Sequence, residues 1–450
     1  MKVAKFGGSS VASADQIKKV GAIIQSDTER KFIVVSAPGK RDAEDTKVTD
    51  LLINLGEAIE LQQATDEIID RILNRFNSII TELNLSQELL SELSNALQEI
   101  ITDAHIPIGL KQEILKSFGE DSSAKVVSAY LNTIGLKARY MNPQDAGILV
   151  SDEPGNAKIL NESYEKLFTL REQDGILVIP GFFGYTTEGK LITFSRGGSD
   201  ITGSIVAAGV KAKLYENFTD VDSVFSVNPN IVNNPKEITT LTYREMRKLS
   251  YAGFSVFHDE ALIPAFNAKI PVCIKNTNNP SARGTMIVAE KEPTKDCVVG
   301  IASDSGFASL YVSKYLMNKE IGFGRKLLQI LEDEGISFEH APSGIDDISI
   351  IIRERQLTPE KEEKILKRIK NELKADTVHL QRGLAVIMVV GEGMNSTVGV
   401  AQKATKALSE ANVNIEMINQ GSSEVSMMFG IHMDGLERAI RSLYATYFPA

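Results

Sequence analysis

Two short glycine-rich segments carry the residue types from which a phosphate-handling site can be built. In the first, Lys5-Phe6-Gly7-Gly8-Ser9-Ser10, an apolar run closes in two glycines and two hydroxyls beside a lysine. Glycine permits backbone conformations in which successive N–H groups point at one anion, and a helix starting just beyond adds a favourable dipole. Lys5 supplies a mobile point charge that can follow a phosphoryl group in flight. The second segment, Phe194-Ser195-Arg196-Gly197-Gly198-Ser199-Asp200, brackets a glycine pair with a guanidinium and a carboxylate. Arg196 can clamp an anion, and Asp200 can orient Lys5 or approach Mg²⁺. A lone Gly-Gly-Ser is most often just a turn, and the first segment lacks the G-x-x-x-x-G-K-[ST] pattern of a Walker A loop. Two loops of opposite accessory charge are more specific than either one and point to phosphoryl transfer.

The surrounding pattern predicts the elements that would hold these loops. Residues 3–6 read as a strand, Ser13 as the cap of a helix to about Gln25, and the apolar run 32–36 as a strand covered on both faces. Strand, helix and strand in so short a stretch make a βαβ unit and imply a parallel sheet. From 57 to 105 the pattern is helical, with a turn at Asn84-Leu85-Ser86 and Ser86 capping the second arm, so a helical hairpin packed on the sheet is expected. Further strands are predicted at 138–141, 147–150, 176–180, 212–216 and 270–274, with a helix following Asp200. The charged segment 290–296, which contains Pro293, reads as a linker.

Beyond it the chain repeats. Gly322 to Ser349 aligns without gaps on Gly399 to Ser426, an offset of 399 − 322 = 77, with Gly322/Gly399, Lys326/Lys403, Leu331/Leu408, Glu339/Glu416, Gly344/Gly421 and Ser349/Ser426 identical and Asp347 facing Glu424. Each copy reads helix, strand, tight turn, strand, which argues for two small α+β domains of one fold.

Composition narrows the function. The 450 residues carry 49 Lys and Arg against 59 Asp and Glu, a net charge of −10, which disfavours nucleic acid or an anionic membrane as main partner. Only Cys273 and Cys297 are present, so a disulfide framework or cysteine metal site is not expected. His105, His258, His340, His379 and His432 are scattered without metal-ligand spacing, so a zinc site built by the protein is not expected. Met1 leads directly into strand-like sequence, and no apolar run is long enough to span a membrane; a cytoplasmic protein is the expectation.

Several motifs resemble, in order, those of the aspartokinases: KFGGSS at 5–10, SFGED around Glu120, PGFFG at 180–184, SRGGSD at 195–200, NFTDVDSV at 217–224 and NIEMINQGSSEVS at 414–426. The resemblance covers essentially the whole chain. With the sequence ending at Ala450 and no dehydrogenase region following, it is to the monofunctional, lysine-responsive branch. It implies an α/β amino-acid-kinase fold, an open and mainly parallel sheet between helical layers, followed by two α+β ferredoxin-like ACT domains. The implied boundaries are 1–292 for the kinase domain, 306–377 for the first ACT domain, and 297–305 with 378–450 for the second.

The implied reaction is transfer of the ATP γ-phosphoryl group to the β-carboxylate of L-aspartate, giving 4-phospho-L-aspartate and ADP on the route to lysine, threonine and methionine. ATP and Mg²⁺ are the implied cofactors. Carried onto this sequence, Lys5 stabilises the transferring group, the N–H groups of Gly7, Gly8 and Ser9 cradle the phosphates, and Asp200 holds Lys5. Arg196 grips a substrate carboxylate and Glu120 the ammonium, with Ser36, Thr49, Phe182 and Ser199 lining the substrate. Thr219 and Asp220 approach the adenosine. Phe225, Asn230 and Ser255 stand where relatives often have Tyr, Arg and Lys, which implies that ATP is held more by backbone and apolar contacts. Lys40, Arg41 and Lys47 read as a solvated basic loop near the phosphates.

For regulation, Glu339, Asp346 and Asp347 offer carboxylates to a lysine ε-ammonium, with Met317, Gly322, Phe323 and Gly324 as the opposite wall; threonine is the rival effector. A homodimer or homotetramer through the ACT domains is expected. Another amino-acid kinase acting on glutamate, uridylate or carbamate, and a non-catalytic amino-acid sensor of the same fold, are the alternatives.

Overall fold

The computed structural model describes residues 1–254, 260–292, 297–420 and 425–449. Ser255, His258, the 293–296 part of the expected linker, and the repeat members Gly421 and Glu424 lie outside the described residues. The chain divides into two compact units, the first comprising Met1–Val224, Glu237–Arg247 and Ser255–Glu292, the second Phe225–Lys236, Lys248–Phe254 and Pro293–Ala450.

The first unit is organised on an eight-stranded sheet in the order Thr240–Thr242, Thr285–Val288, Val272–Asn276, Leu214–Thr219, Lys2–Phe6, Arg30–Val35, Ile176–Pro180 and Ala138–Tyr140. The six strands from Val272–Asn276 to Ala138–Tyr140 pair in parallel, and the pairing of Thr285–Val288 with Val272–Asn276 is antiparallel. The apolar runs read from the sequence are the inner strands: Val3, Ala4, Phe6, Phe32, Ile33, Val34 and Val35 are fully buried. That is the expected state of parallel strands with helices on both faces. Lys2–Phe6 lies between Arg30–Val35 and Leu214–Thr219, so connections leave it in both directions. Such a switch in strand order opens a crevice at the C-terminal strand ends, where ligands of open α/β sheets bind.

Local chemistry sets the helix ends. Ser13 caps Ala14–Gln25 through its side chain, which accepts from the Gln16 N–H at 3.4 Å, and Ser86 caps Gln87–Thr102 by accepting from Glu88 N–H at 3.2 Å. Asn84 takes φ +54°, a left-handed turn residue between the arms Asp66–Glu82 and Gln87–Thr102. The hairpin therefore starts at Asp66, and the residues from 57 complete an earlier helix, Val48–Glu60. The strand expected at 147–150 is not formed. Gly147 closes the one-turn helix Pro143–Ala146 at φ +80°, and Leu149 and Val150 contribute only isolated bridges.

The arm Asp66–Glu82 also pins a loop. Arg75, 6% exposed, donates from Nη1 to the Gly39 carbonyl at 2.8 Å and pairs through Nη2 with Asp45 at 2.5 Å. Lys40 and Arg41 sit on the stretch so held. An Arg75→Met substitution is expected to speed tryptic cleavage after Lys40 and Arg41 by about tenfold for each ~1.4 kcal/mol of local stability lost. Unchanged cleavage kinetics would remove Arg75 as the clamp.

The second unit is built on a five-stranded antiparallel sheet in the order Asp347–Arg353, Gly300–Ser313, Thr377–Val390, Ser426–His432 and Met417–Asn419. Its two 14-residue strands, Gly300–Ser313 and Thr377–Val390, run antiparallel through two separate apolar cores. Gly306 at φ +80° and Gly383 at φ +74° lie where the pairing shifts from one core to the other. Val378 and Leu380 pack against the core formed with Phe323–Asp333 and Pro359–Glu372, so the division expected at 377/378 moves to Gly383. The expected unbroken 1–292 domain is also adjusted. Val227 belongs to the other core of this unit, and the Ile301 N–H donates to the Ser226 carbonyl at 2.7 Å. The repeat survives in the backbone: Gly322 and Gly399 both precede a helix with positive φ, +80° and +89°. Among the described residues no helix is long and apolar enough to cross a membrane.

Candidate active site

A cleft of about 890 Å³ opens at the C-terminal strand ends of the first unit, lined by both glycine segments. Lys5, at the end of the central strand and 6% exposed, places its Nζ 2.5 Å from Asp200 Oδ1. Asp200 stands in the first turn of the helix Gly198–Gly209, and its Oδ1 also accepts from Asn217 Nδ2 at 2.7 Å. The ammonium is thus aimed by a carboxylate that is itself held from a neighbouring strand.

The two loops beside Lys5 touch backbone to backbone. Gly39 N–H donates to the Gly8 carbonyl at 2.8 Å, and a Cβ on Gly39 would lie 2.7 Å from the Gly8 carbonyl carbon. Gly8 and Ser9 line the cleft. Of the three amides expected to face phosphates, that of Gly7 is engaged, donating to the Phe218 carbonyl at 3.0 Å.

Glu120 projects from the long helix Ile108–Thr133. Gly119 lets that helix come close: a Cβ there would meet the Ala37 Cβ at 2.6 Å. The Glu120 carboxyl is consequently buried, with Oε2 lacking any hydrogen-bond partner, yet it lines the cleft. Burial pushes it up to about 8, against the opposing pull of the Ala37 and Glu120 amides and of Lys5. An orphaned carboxyl at the wall of a cleft is a site for a cationic group.

Arg196 is exposed, lines the cleft and has no ion-pair partner among the described residues. Ser36, Thr49, Phe182 and Ser199 line it too. Phe182 holds φ +79°, unusual for a residue with a bulky side chain; its N–H donates to Thr202 Oγ1 at 3.0 Å and its carbonyl accepts from Phe194 N–H at 2.8 Å. On the expected nucleotide side, Asp220 lines the cleft and accepts from Thr219 Oγ1 at 3.1 Å. Thr219 and Phe225 are not among the lining residues, and Phe225 sits on the short strand Val224–Phe225. Lys40 and Lys47 line the cleft, whereas Arg41 turns to Asp45 at 2.9 Å. Glu113, Lys116, Gly155 and Thr193 were not anticipated. Lys116, Gly155 and Thr193 line the cleft, and Glu113 lies behind them. Among the described residues no group of three or more His, Cys, Asp or Glu is placed to hold a metal ion.

In the second unit the acidic residues expected around one effector diverge. Glu339 pairs with Arg353 Nε at 3.1 Å and accepts from the Tyr251 hydroxyl. Asp346 accepts from the Leu316 N–H at 2.8 Å, and Asn318 N–H donates to the Ile345 carbonyl at 3.1 Å, so Asp346 does sit beside Met317. Asp347 lines a separate 370 Å³ pocket on the sheet. Met317 and Phe323 are buried, and Gly322 and Gly324 flank the helix start.

A model of the amino acid kinase family matches residues 1–276, and an ACT domain model matches 387–447. Aspartokinase 3 of Bacillus subtilis is 56% identical over 448 residues, covering 100% of this chain and 99% of that protein. The crystal structure of Clostridium acetobutylicum aspartate kinase, 39% identical, superposes with a TM-score of 0.88 over 99% of this chain and 100% of that one. At 24% identity, where only the fold is compared, E. coli aspartokinase III superposes with a TM-score of 0.81 in complex with aspartate and ADP, covering 99% of each chain. In complex with lysine and aspartate its TM-score is 0.77, covering 100% of this chain and 99% of that one.

Proposed function

The chain belongs to the amino acid kinase family and, within it, to the aspartokinases, and from that premise we propose how its cleft performs the reaction. The enzyme transfers the γ-phosphoryl group of ATP to the β-carboxylate of L-aspartate, giving 4-phospho-L-aspartate and ADP. A carboxylate is already a competent nucleophile, so the cleft needs no strong base. Its task is to hold two anions in line and offset the charge between them.

The observation that carries our assignment is the Lys5–Asp200–Asn217 chain. Lys5 meets the charge developing on the transferring phosphoryl, while Asp200 and Asn217 fix its position. The amides of Gly8 and Ser9 support the phosphates, with Gly7 shaping the turn. Thr219 and Asp220 approach the adenosine, and Phe225 contributes no cleft-lining group. Arg196 holds the α-carboxylate of aspartate in a two-pronged grip. Glu120 receives the ammonium, and Ser36, Thr49, Phe182 and Ser199 shape the space between. Mg²⁺ fits this donor set: Asp200 lines the cleft beside Lys5, and Mg²⁺ is ordinarily held by one or two carboxylates together with substrate phosphates. When bound, it would neutralise phosphate charge.

The second unit reads as a pair of ACT domains divided at Gly306 and Gly383, with the segment before Gly306 completing the later one. Lysine is the proposed effector, held by Asp346 beside Met317 and the turn at Gly322, Phe323 and Gly324; Glu339, tied to Arg353, supports the strand from behind. Dimers or tetramers through these domains, and a cytoplasmic location where ATP is supplied, complete the reading. Steady-state ADP formation with Mg²⁺-ATP is expected to require L-aspartate and to fall on addition of lysine. The Asp346→Ala enzyme is expected to need about tenfold more lysine or beyond for half inhibition, given the strength of hydrogen bonds to charged groups. Suppression by threonine alone would transfer the site to another effector, and an unshifted lysine response would remove Asp346 from it.

A further inference from the structure

Seven residues before Glu120, on the same helix, lies a second buried carboxylate that the reaction itself does not use. Glu113 is 2% exposed. Its Oε2 accepts from the Thr193 N–H at 2.8 Å, the Thr193 hydroxyl at 2.7 Å and the Gly155 N–H at 3.2 Å. Its Oε1 lies 3.1 Å from Lys116 Nζ. Burial pushes this carboxyl up, but the hydrogen bonds from Thr193 and the Lys116 ammonium outweigh it and hold it below the usual range.

Each partner leads to the cleft. Thr193 ends the strand Leu191–Thr193, and three residues later the chain reaches Arg196. Gly155 belongs to the segment facing that strand end, and Lys116 is one helical turn before Glu120. Two turns of helix separate Glu113 from Glu120, about 10.5 Å along one face. The carboxylate therefore joins the helix that presents the ammonium site to the strand that delivers the α-carboxylate site.

We propose that Glu113 is a positioning residue for aspartate, setting the separation between the Arg196 loop and the Glu120 helix by binding Thr193, Gly155 and Lys116 at once. This rests on the reading of Arg196 and Glu120 given above. The substrate is short, so a displacement of either anchor weakens its capture, while the Gly8 and Ser9 loop, which is not among the partners of Glu113, keeps its place.

Glu113→Gln tests this with little change of shape. An amide that turns its oxygen to Thr193 presents its NH₂ to the Lys116 ammonium, and one that turns the other way sets donor against donor at Thr193. The KM for L-aspartate is expected to rise about tenfold or more. The KM for Mg²⁺-ATP is expected to stay close to the parent value, while the melting temperature falls modestly because a buried donor is left unmatched. Arg196→Gln, measured alongside, reports on the underlying reading through its own KM for aspartate. If Arg196→Gln raises that KM and Glu113→Gln does not, the positioning role is overturned and the reading stands. If neither does, both fall. An equal rise in both substrates' KM values for Glu113→Gln also overturns it, since that is the signature of a general loss of structure. Should Glu113→Gln fail to fold, Thr193→Val removes one of the three donors to Oε2 and decides the matter by the same split, a selective rise supporting the role and an unchanged KM for aspartate ending it.

Discussion

Lys5→Met is expected to lower kcat about 10³-fold or more, the scale associated with losing a cation or donor aimed at transferring charge. The argument is geometric. Nζ is buried at the strand end and fixed 2.5 Å from Asp200, and Asp200 is fixed in turn by Asn217. A cation held this way needs no reorganisation when negative charge develops beside it, so its benefit falls on the transition state more than on bound ATP. The KM for ATP should therefore move far less than kcat. Lys5→Arg should not rescue, because a planar fork cannot occupy the place of a compact ammonium at a site only 6% exposed. Asp200→Asn should give a smaller loss, about 10²-fold, since it leaves the ammonium present but poorly aimed. The double variant should be little worse than Lys5→Met alone, as for residues acting as one unit. Folded Lys5→Met protein that retains more than a tenth of parental kcat would overturn this assignment.

What sequence reasoning captured and missed follows from how each feature is encoded. The Lys5 and Asp200 loops were legible because glycine pairs flanked by charge are local signals, and the apolar runs around them could only be inner strands. Ser13 and Ser86 were legible as caps for the same reason. The helix Ile108–Thr133 was not. It is buried at Leu115, Phe118, Gly119 and Ser122 as well as on the face of Glu113, Ser117 and Glu120, so it lacks the single apolar stripe that betrays a surface helix. Without that helix, the i, i+4 and i, i+7 relations of Lys116 and Glu113 to Glu120 had no frame. The neighbouring acids 339, 346 and 347 misled in the opposite way. Closeness in sequence suggested convergence, but Arg353 draws Glu339 off, Leu316 takes Asp346, and Asp347 faces a separate pocket. Long-range partners decide such cases. The excursion of residues 225–236 into the second unit is of the same kind, settled by Val227 entering a core formed more than seventy residues later.

Glu120 is the group whose titration should be visible in catalysis. In the free enzyme its carboxyl holds its proton until about pH 8, because burial penalises the anion more than the Ala37 amide and Lys5 favour it. The neutral acid offers an ammonium no charge, so productive capture of aspartate needs the ionised form. The parent kcat/KM for aspartate is expected to climb nearly tenfold per pH unit below about 8, where the free-enzyme value governs, and to level off above it. Glu120→Gln should raise the KM for aspartate about 10²-fold, as for truncating one partner of a buried charge pair, and should flatten that climb. Aspartate binding at pH 7 should release close to one proton, because the arriving ammonium stabilises the anion. Calorimetry in two buffers of different ionisation enthalpy measures this directly. The sign for stability is opposite. The native carboxyl keeps its proton to about 8, while the unfolded one releases it near 4.5, so this group's contribution to folding declines as pH rises between those values. Aspartate should then protect the fold increasingly at the alkaline end of that window. A flat pH profile in the parent, with no proton released on binding, would show that Glu120 is already ionised in the free cleft and would withdraw the desolvation argument while leaving its contact with substrate to the Gln variant.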